Sequence, residues 1–321
     1  MIWFYGNLKN SLESIIQLRN NLWHNSYAKT LLKVIFSAGL LAFILTKINL
    51  SILVNSVSKC QSSYLLVSFL FVNLCMIVST LKWRPLLTVQ GIRIPFTSLL
   101  SLYYVGLFAN NFLPSGIGGD ALRIYGSARI SGKTTEAAAS VIFERLLASL
   151  VLGLTASLAL LFVSLPNSIK YQVYWCVGII VGVCFFIPAA LFCCSFRENT
   201  MAGRWLSQLS KYKATPTVLI KVLALSFLFQ ALMVLANVFI FSSAGINLPL
   251  AVHFLNIPVI MAVSMLPVSI NGLGIREGMY IILYGYAGVD SARAVSFSLL
   301  FFIMVTLASL AGGIALLQRK W

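Results

Sequence analysis

Leu113-Pro114-Ser115-Gly116-Ile117-Gly118-Gly119-Asp120-Ala121-Leu122-Arg123 and Leu266-Pro267-Val268-Ser269-Ile270-Asn271-Gly272-Leu273-Gly274-Ile275-Arg276-Glu277 are the stretches that decide how this chain folds. Both read Leu-Pro, four residues, Gly, three residues, Arg, and both interrupt apolar surroundings. Pro and Gly break a membrane helix, and an Arg at the bilayer centre costs about 2.5–3.5 kcal/mol on insertion scales. A pair of broken, charged segments in matching positions of two halves points to a transporter-like binding site.

The surroundings are membrane sequence. Of 321 residues, 60% are hydrophobic and 9% charged, against about 25% charged in a soluble domain. The net charge of +16, from 23 Lys/Arg and 7 Asp/Glu, would suggest nucleic acid in a soluble chain. Here it reads as cytoplasmic loops collecting cations, and no nucleic-acid partner is expected. Cys60, Cys75, Cys176, Cys184, Cys193 and Cys194 show no metal-ligand spacing and read as small apolar packing residues. Residues 1–30 show no apolar h-region or A-x-A site, so no signal peptide is expected there, and Leu8, Leu12, Ile15, Ile16, Leu22 and Trp23 recur at helical spacing. That pattern suits an amphipathic arm on the cytoplasmic membrane surface.

Full spans are expected near 31–48, 64–82, 138–164, 173–195, 218–245 and 293–317, each near the ~20 residues that cross a bilayer. The shorter apolar runs 96–112 and 250–266 end at the two Leu-Pro breaks. Positive charge orients the chain. The arm (Lys9, Arg19, Lys29, Lys33), the 82–95 loop (Lys82, Arg84, Arg93), the 123–137 stretch (Arg129, Lys133), the 196–217 loop (Arg197, Arg204, Lys211, Lys213) and the C-terminus (Arg319, Lys320) want the cytoplasm. The hairpin at 96–128 then starts and ends inside, and the hairpin at 250–289 starts and ends outside. The expected fold is an all-α polytopic membrane bundle: six full spans and two oppositely oriented re-entrant hairpins, an inverted repeat. The domains are a cytoplasmic arm at 1–30, the transmembrane domain at 31–317 and a cytoplasmic tail at 318–321. Pro188 and Pro258 should kink their helices. Gly178 and Gly182 form a G-x-x-x-G that suits internal packing and leaves a homodimer open.

Chemistry can sit at few places. Asp120 with Arg123, Glu144 with Arg145, and Glu277 with Arg276 are acids beside an Arg at or near membrane depth. Asp120 and Arg123 are i,i+3 and can pair. Adjacent residues on a helix do not face each other, so Glu144 and Glu277 should find partners elsewhere, in one central cluster. Arg123 and Arg276 each follow a Gly-rich break and are expected to open a helix. That is the positive end of the helix dipole, so an anion completing the site would explain them. The competing reading is structural: each Arg caps carbonyls or pairs with Asp120, Glu144 or Glu277. Glu144 and Arg145 could also snorkel at the start of their span. Asn111 and Asn271, like Asn110, are polar at the breaks and suit freed backbone groups; Asn111 and Asn271 are also candidate substrate-binding residues. Gly119, Gly272 and Gly274 let a backbone approach a ligand. His24 and His253 are single and unpartnered, so no metal is expected. Gly272-Leu273-Gly274-Ile275-Arg276-Glu277 has Glu where a dinucleotide fingerprint needs its third Gly, and no cofactor is expected. Trp3, Trp83, Trp175 and Trp321 read as interfacial anchors.

The runs Asn111–Arg123 and Pro267–Glu277, with Glu144-Arg145 on the intervening helix, resemble the signature of the lysylphosphatidylglycerol synthase transmembrane-region family, also called flippase-like. The resemblance covers roughly residues 30–317. It implies re-entrant segments around a lipid-sized cavity and a role in handling phospholipids or lipid-linked sugars. The chain reaches Trp321 directly after its last span, so it is expected to lack the aminoacyl-transferring domain and lysine transfer. The expected function is a non-enzymatic lipid translocase of a prokaryotic cytoplasmic membrane, with both termini cytoplasmic. Its substrate would be an anionic phospholipid or a polyprenyl-phosphate-linked sugar. Arg276, Glu277, Arg123, Asp120, Glu144 and Arg145 would hold that substrate, and no residue would be catalytic. The rivals are an integral-membrane transferase acting on lipid-linked substrates and a scaffold subunit of a glycan- or lipid-assembly complex.

Overall fold

A computed structural model describes residues 58–111, 117–163, 207–265, 269 and 271–318, with scattered positions between 171 and 182. The arm at 1–30, the 31–48 span, most of the 173–195 span, Pro188, His24, four of the cysteines and the tail beyond Gln318 lie outside the described residues. Within them the structure is helical, without a strand.

Among the described residues eight α-helices carry the fold: α1 Ser62–Val89, α2 Phe96–Asn110, α3 Ile117–Ser131, α4 Thr134–Leu160, α5 Pro216–Ser243, α6 Leu250–Ser264, α7 Ile275–Gly285 and α8 Ser291–Leu317. α1, α4, α5 and α8 are long and apolar enough to cross a membrane. Between 28% and 56% of each apolar window is buried inside the protein, so much of the remaining apolar surface faces outward, where lipid covers it. This is an integral membrane protein.

The helices form two sets of four. α1 and α5 have equal lengths, as do α2 and α6, and α4 and α8. The match extends to the punctuation. Gly91 after α1 and Gly245 after α5 both take the left-handed φ that lets a helix end in a tight turn, 71° and 73°. Pro95 and Pro249 then stand at the N-caps of α2 and α6. Neighbours correspond as well: α2 packs on α8 as α6 packs on α4, and α1 meets α8 as α5 meets α4. The equivalent helices α1 and α5 share the largest interface, and they run antiparallel. Gln61 N donates to Ser243 O (2.9 Å), Ser68 Oγ to Ala236 O (2.9 Å) and Cys75 Sγ to Phe229 O (3.8 Å). Each step of seven along α1 thus meets a step of seven back along α5.

The core lies between α1, α5, α6, α7 and α8 and is built on Val72, Val234, Phe241, Leu255, Tyr284 and Phe297. His253, read from sequence as unpartnered, bonds Tyr284 Oη through Nδ1 (2.9 Å) within it. The short apolar runs stop at Asn110 and Ser264, where the Leu-Pro breaks begin. α6 continues through Pro258. One boundary differs materially from the sequence reading. α1 does not end at 82 but runs on through Pro85 to Val89, so Lys82 is a helix residue, turned inward, and not a loop cation.

Candidate functional site

Two ionic clusters, one from each set of four described helices, reach a single cavity of about 290 Å³, the second through Arg276 and Phe302 with the predicted site residue Glu277 fully buried behind them. The first gathers side chains from α1, α2, α3 and α4. Glu144 Oε2 pairs with Arg123 Nη2 (2.5 Å), and its Oε1 accepts from Tyr103 Oη (2.5 Å) and pairs with Lys82 Nζ (3.3 Å). Asp120 bridges Arg123 Nη1 (3.1 Å) and Arg145 Nε (2.7 Å). The Arg123 guanidinium lies between the rings of Trp83 (4.3 Å) and Tyr103 (3.8 Å), a cation–π stack worth more where water is excluded. Three cations therefore share two carboxylates. Their exposure is unequal: the side chains of Lys82 and Arg123 are 4% exposed and that of Arg145 is 42%.

The second cluster is smaller. α7 begins at Ile275 behind Gly274, whose φ of 83° only glycine adopts readily. Glu277 Oε2 accepts from Gly274 N (2.6 Å), closing the helix start. Its Oε1 takes Arg276 Nη2 (3.0 Å) and Ser298 Oγ (2.8 Å), and Ser298 Oγ accepts from Arg276 Nε (3.1 Å). Arg276 also faces the Phe302 ring at 5.0 Å. Its Nη1 has no hydrogen-bond partner among the described residues. Removing the buried Ser298 hydroxyl in Ser298→Ala should lower stability by about 1.5–3 kcal/mol, the range for hydrogen bonds to charged groups. Ser296→Ala, which loses only a bond to the Ala292 carbonyl, should change it by less than ~1 kcal/mol. Unfolding midpoints in mild detergent check the contrast.

Several sequence expectations change here. Arg276 stands in the first turn of its helix, but Arg123 lies in the second turn of α3, which starts at Ile117. Glu277 does bond its neighbour Arg276, because both long side chains curl toward each other over the helix start. Glu144 and Arg145 find partners on other helices, as the spacing requires. Glu144 does not snorkel: α4 starts at Thr134, well before it, and the residue is 3% exposed. Trp83 is no interfacial anchor. It is fully buried and its indole donates to Ser140 Oγ (2.9 Å).

Asn110 accepts from Gly119 N (2.8 Å) across the first break, in the backbone-satisfying role expected of it. Gly119 lies so close to α2 that a Cβ there would stand 2.2 Å from Gly106 O. Asn271, at φ 47°, and Gly272 line the cavity. Asn111 bonds Ser309 Oγ instead (2.8 Å), and neither it nor Gly274 lines the cavity. Lys82, Tyr103, Ser298 and Phe302 escaped the sequence reading. Lys82 alone carried a signal, as a cation at the edge of an apolar run. Residues 112–116, 266–268 and 270 of the breaks lie outside the described residues. Among the described residues no His, Cys, Asp and Glu gather as a metal site.

A match to the family described as the lysylphosphatidylglycerol synthase TM region spans residues 30–313. A UPF0104 membrane protein of Pyrococcus horikoshii is 21% identical over 327 residues, covering 91% of this chain and 98% of that protein. A UPF0104 membrane protein of Methanothermobacter thermautotrophicus is 23% identical over 279 residues, covering 74% and 79% respectively. The chain belongs to the lysylphosphatidylglycerol synthase transmembrane-region family.

Proposed function

We propose that this family member is a lipid translocase of a prokaryotic cytoplasmic membrane. It would hold the phosphate of a phospholipid or a polyprenyl-phosphate-linked sugar between its two antiparallel halves. The observation that carries this reading is the meeting of both ionic clusters on one cavity. Phosphate suits a site where three cations share two carboxylates, and a guanidinium fork binds it bidentately. The rest of the lining is largely apolar, with Leu107, Leu152, Phe229, Ile257, Ile260 and Val305 among it. Such a wall accepts the glycerol and the start of an acyl chain. The volume takes a headgroup and leaves the tails between helices or in the bilayer.

Exposure divides the labour. Arg145 and Arg276 reach the headgroup. Arg123, packed against two mutually perpendicular rings and bonded to two acids, is a positioning residue that holds α3 against α4. The α2–α3 and α6–α7 pairs are re-entrant hairpins entering from opposite faces, with both termini cytoplasmic. Alternating access would rock one half against the other. Transport is not catalysis, and no residue is assigned a catalytic role.

The test is lipid mass spectrometry on protein purified in mild detergent, comparing wild type with a folded Arg145→Gln, Arg276→Gln variant and with bulk membrane lipid. One anionic lipid enriched in wild type and depleted in the variant is the expected result. Bulk-like lipid in both proteins would make the clusters structural and favour a scaffold. Turnover of a lipid donor by the purified protein would favour a transferase.

A further inference from the structure

A second groove lies outside the central cavity, and what it offers does not depend on the transport reading. On the outer face of α1, Leu66, Leu70, Leu74, Ile77 and Leu81 follow one another at steps of four and three and are 37–60% exposed. Steps of that size keep side chains on one face of a helix, so these five form a continuous apolar stripe. The stripe does not end in bare solvent. One turn beyond Leu81, α1 and the start of α5 enclose a groove of about 420 Å³, lined by Leu81, Arg84, Pro85, Thr88, Val218 and Lys221 among others.

Two cations hold this groove. Arg84 lies five residues before the end of α1 at Val89, and Lys221 five residues after the start of α5 at Pro216. Because α1 and α5 are antiparallel, both sit at the same end of the pair, roughly 7–8 Å inside the helix ends at 1.5 Å per residue. Both are exposed. Neither forms an ion pair with any described acid. The site is separate from the cavity, because Lys82 and Arg84 are two helical positions apart and point to opposite sides of α1. Two unneutralised cations sharing one groove repel each other, and a single anion between them relieves both. At this depth the surrounding bilayer places its phosphates.

We infer that the Arg84–Lys221 groove binds an anionic glycerophospholipid from the surrounding leaflet. The lipid phosphate bridges the two cations, and one acyl chain lies along the Leu66–Leu81 stripe. Each half of the groove needs the other. The stripe alone is ordinary lipid-facing helix, and the cations alone would take any soluble anion.

Native mass spectrometry of the full chain in detergent, titrated with phosphatidylglycerol or phosphatidylcholine, tests this. Wild type should retain phosphatidylglycerol over phosphatidylcholine by roughly tenfold, the scale expected of two cations at the membrane surface. With the cavity already disabled by Arg145→Gln and Arg276→Gln, adding Arg84→Gln and Lys221→Gln should abolish the preference for that lipid, and adding Lys221→Gln alone should reduce it. The Arg84 and Lys221 side chains are exposed, so unfolding midpoints should stay at the value of the cavity variant. The cavity variant Arg145→Gln, Arg276→Gln should retain the groove lipid, which separates failure of this site from failure of the transport reading. Undiminished preference in the Arg84, Lys221 variant would overturn the proposal. So would glycerol phosphate competing as well as the whole lipid, since that would leave the stripe without a role.

Discussion

Glu144→Ala is expected to lower unfolding stability by about 3–5 kcal/mol, the cost of removing one partner from a buried ion pair. The carboxylate neutralises Lys82 and Arg123 and accepts the Tyr103 hydroxyl, while both cationic side chains are 4% exposed. Without it, Lys82 would lose its acid and Arg123 would share Asp120 with Arg145. Against a total stability of ~5–15 kcal/mol, that loss is large. Adding Lys82→Met should recover part of it, because the substitution removes one orphaned cation and fills its space with apolar atoms. Denaturant unfolding in mild detergent measures both steps. A loss below ~1 kcal/mol, with nothing recovered by Lys82→Met, would mean that water reaches the cluster and the pairs are of the weak, solvated kind.

Gly312→Ala should cost about 1–3 kcal/mol or more from overpacking. A Cβ at Gly312 would stand 2.0 Å from the Tyr104 carbonyl oxygen and 2.3 Å from its carbon. These are backbone atoms of α2, so α8 and α2 would have to move apart along their shared interface. Gly278→Ala provides the opposite control. Nothing lies within 4 Å of a Cβ there, and Ala exceeds Gly in helix propensity by roughly 0.8–1.0 kcal/mol. The first variant should melt below wild type and the second at or above it. Equal melting of the two would remove the close α2–α8 approach from the account of stability.

Hydrophobic runs made the long helices legible, because a membrane span must be apolar along its length. The breaks were legible for the same reason, since Leu-Pro and Gly stand out against such runs. Which ionic groups meet was not legible. Lys82 counted as a loop cation under the positive-inside rule, which scores charge near a span end and ignores whether a buried acid waits on another helix. Trp83 counted as an anchor because tryptophan favours interfaces, yet the Arg123 guanidinium and Ser140 draw it inside. Ser298 looks like any serine in an apolar helix. Its role follows only from α8 passing beside the start of α7.

The equivalence of the two halves also shows where they diverge. Laid start to start, α4 and α8 place Glu144 and Arg145 opposite Phe301 and Phe302. The first half pairs Arg123 with Asp120 on its own helix and with Glu144 on a different one, and the second half pairs Arg276 with the next residue alone. Displacing α3 from α4 pulls Arg123 away from Glu144 and separates opposite charges in a dry interior. Displacing α7 carries Arg276 and Glu277 together as a neutral unit; it breaks no ion pair, and what it gives up is the Ser298 hydroxyl, the Phe302 ring and the neutral hydrogen bonds of Tyr280, Leu283 and Tyr284 to Asn237, Asn256 and His253. The symmetry of the scaffold is therefore not matched in electrostatics: one half is latched by opposite charges on different helices, and the other is held by neutral hydrogen bonds and packed rings.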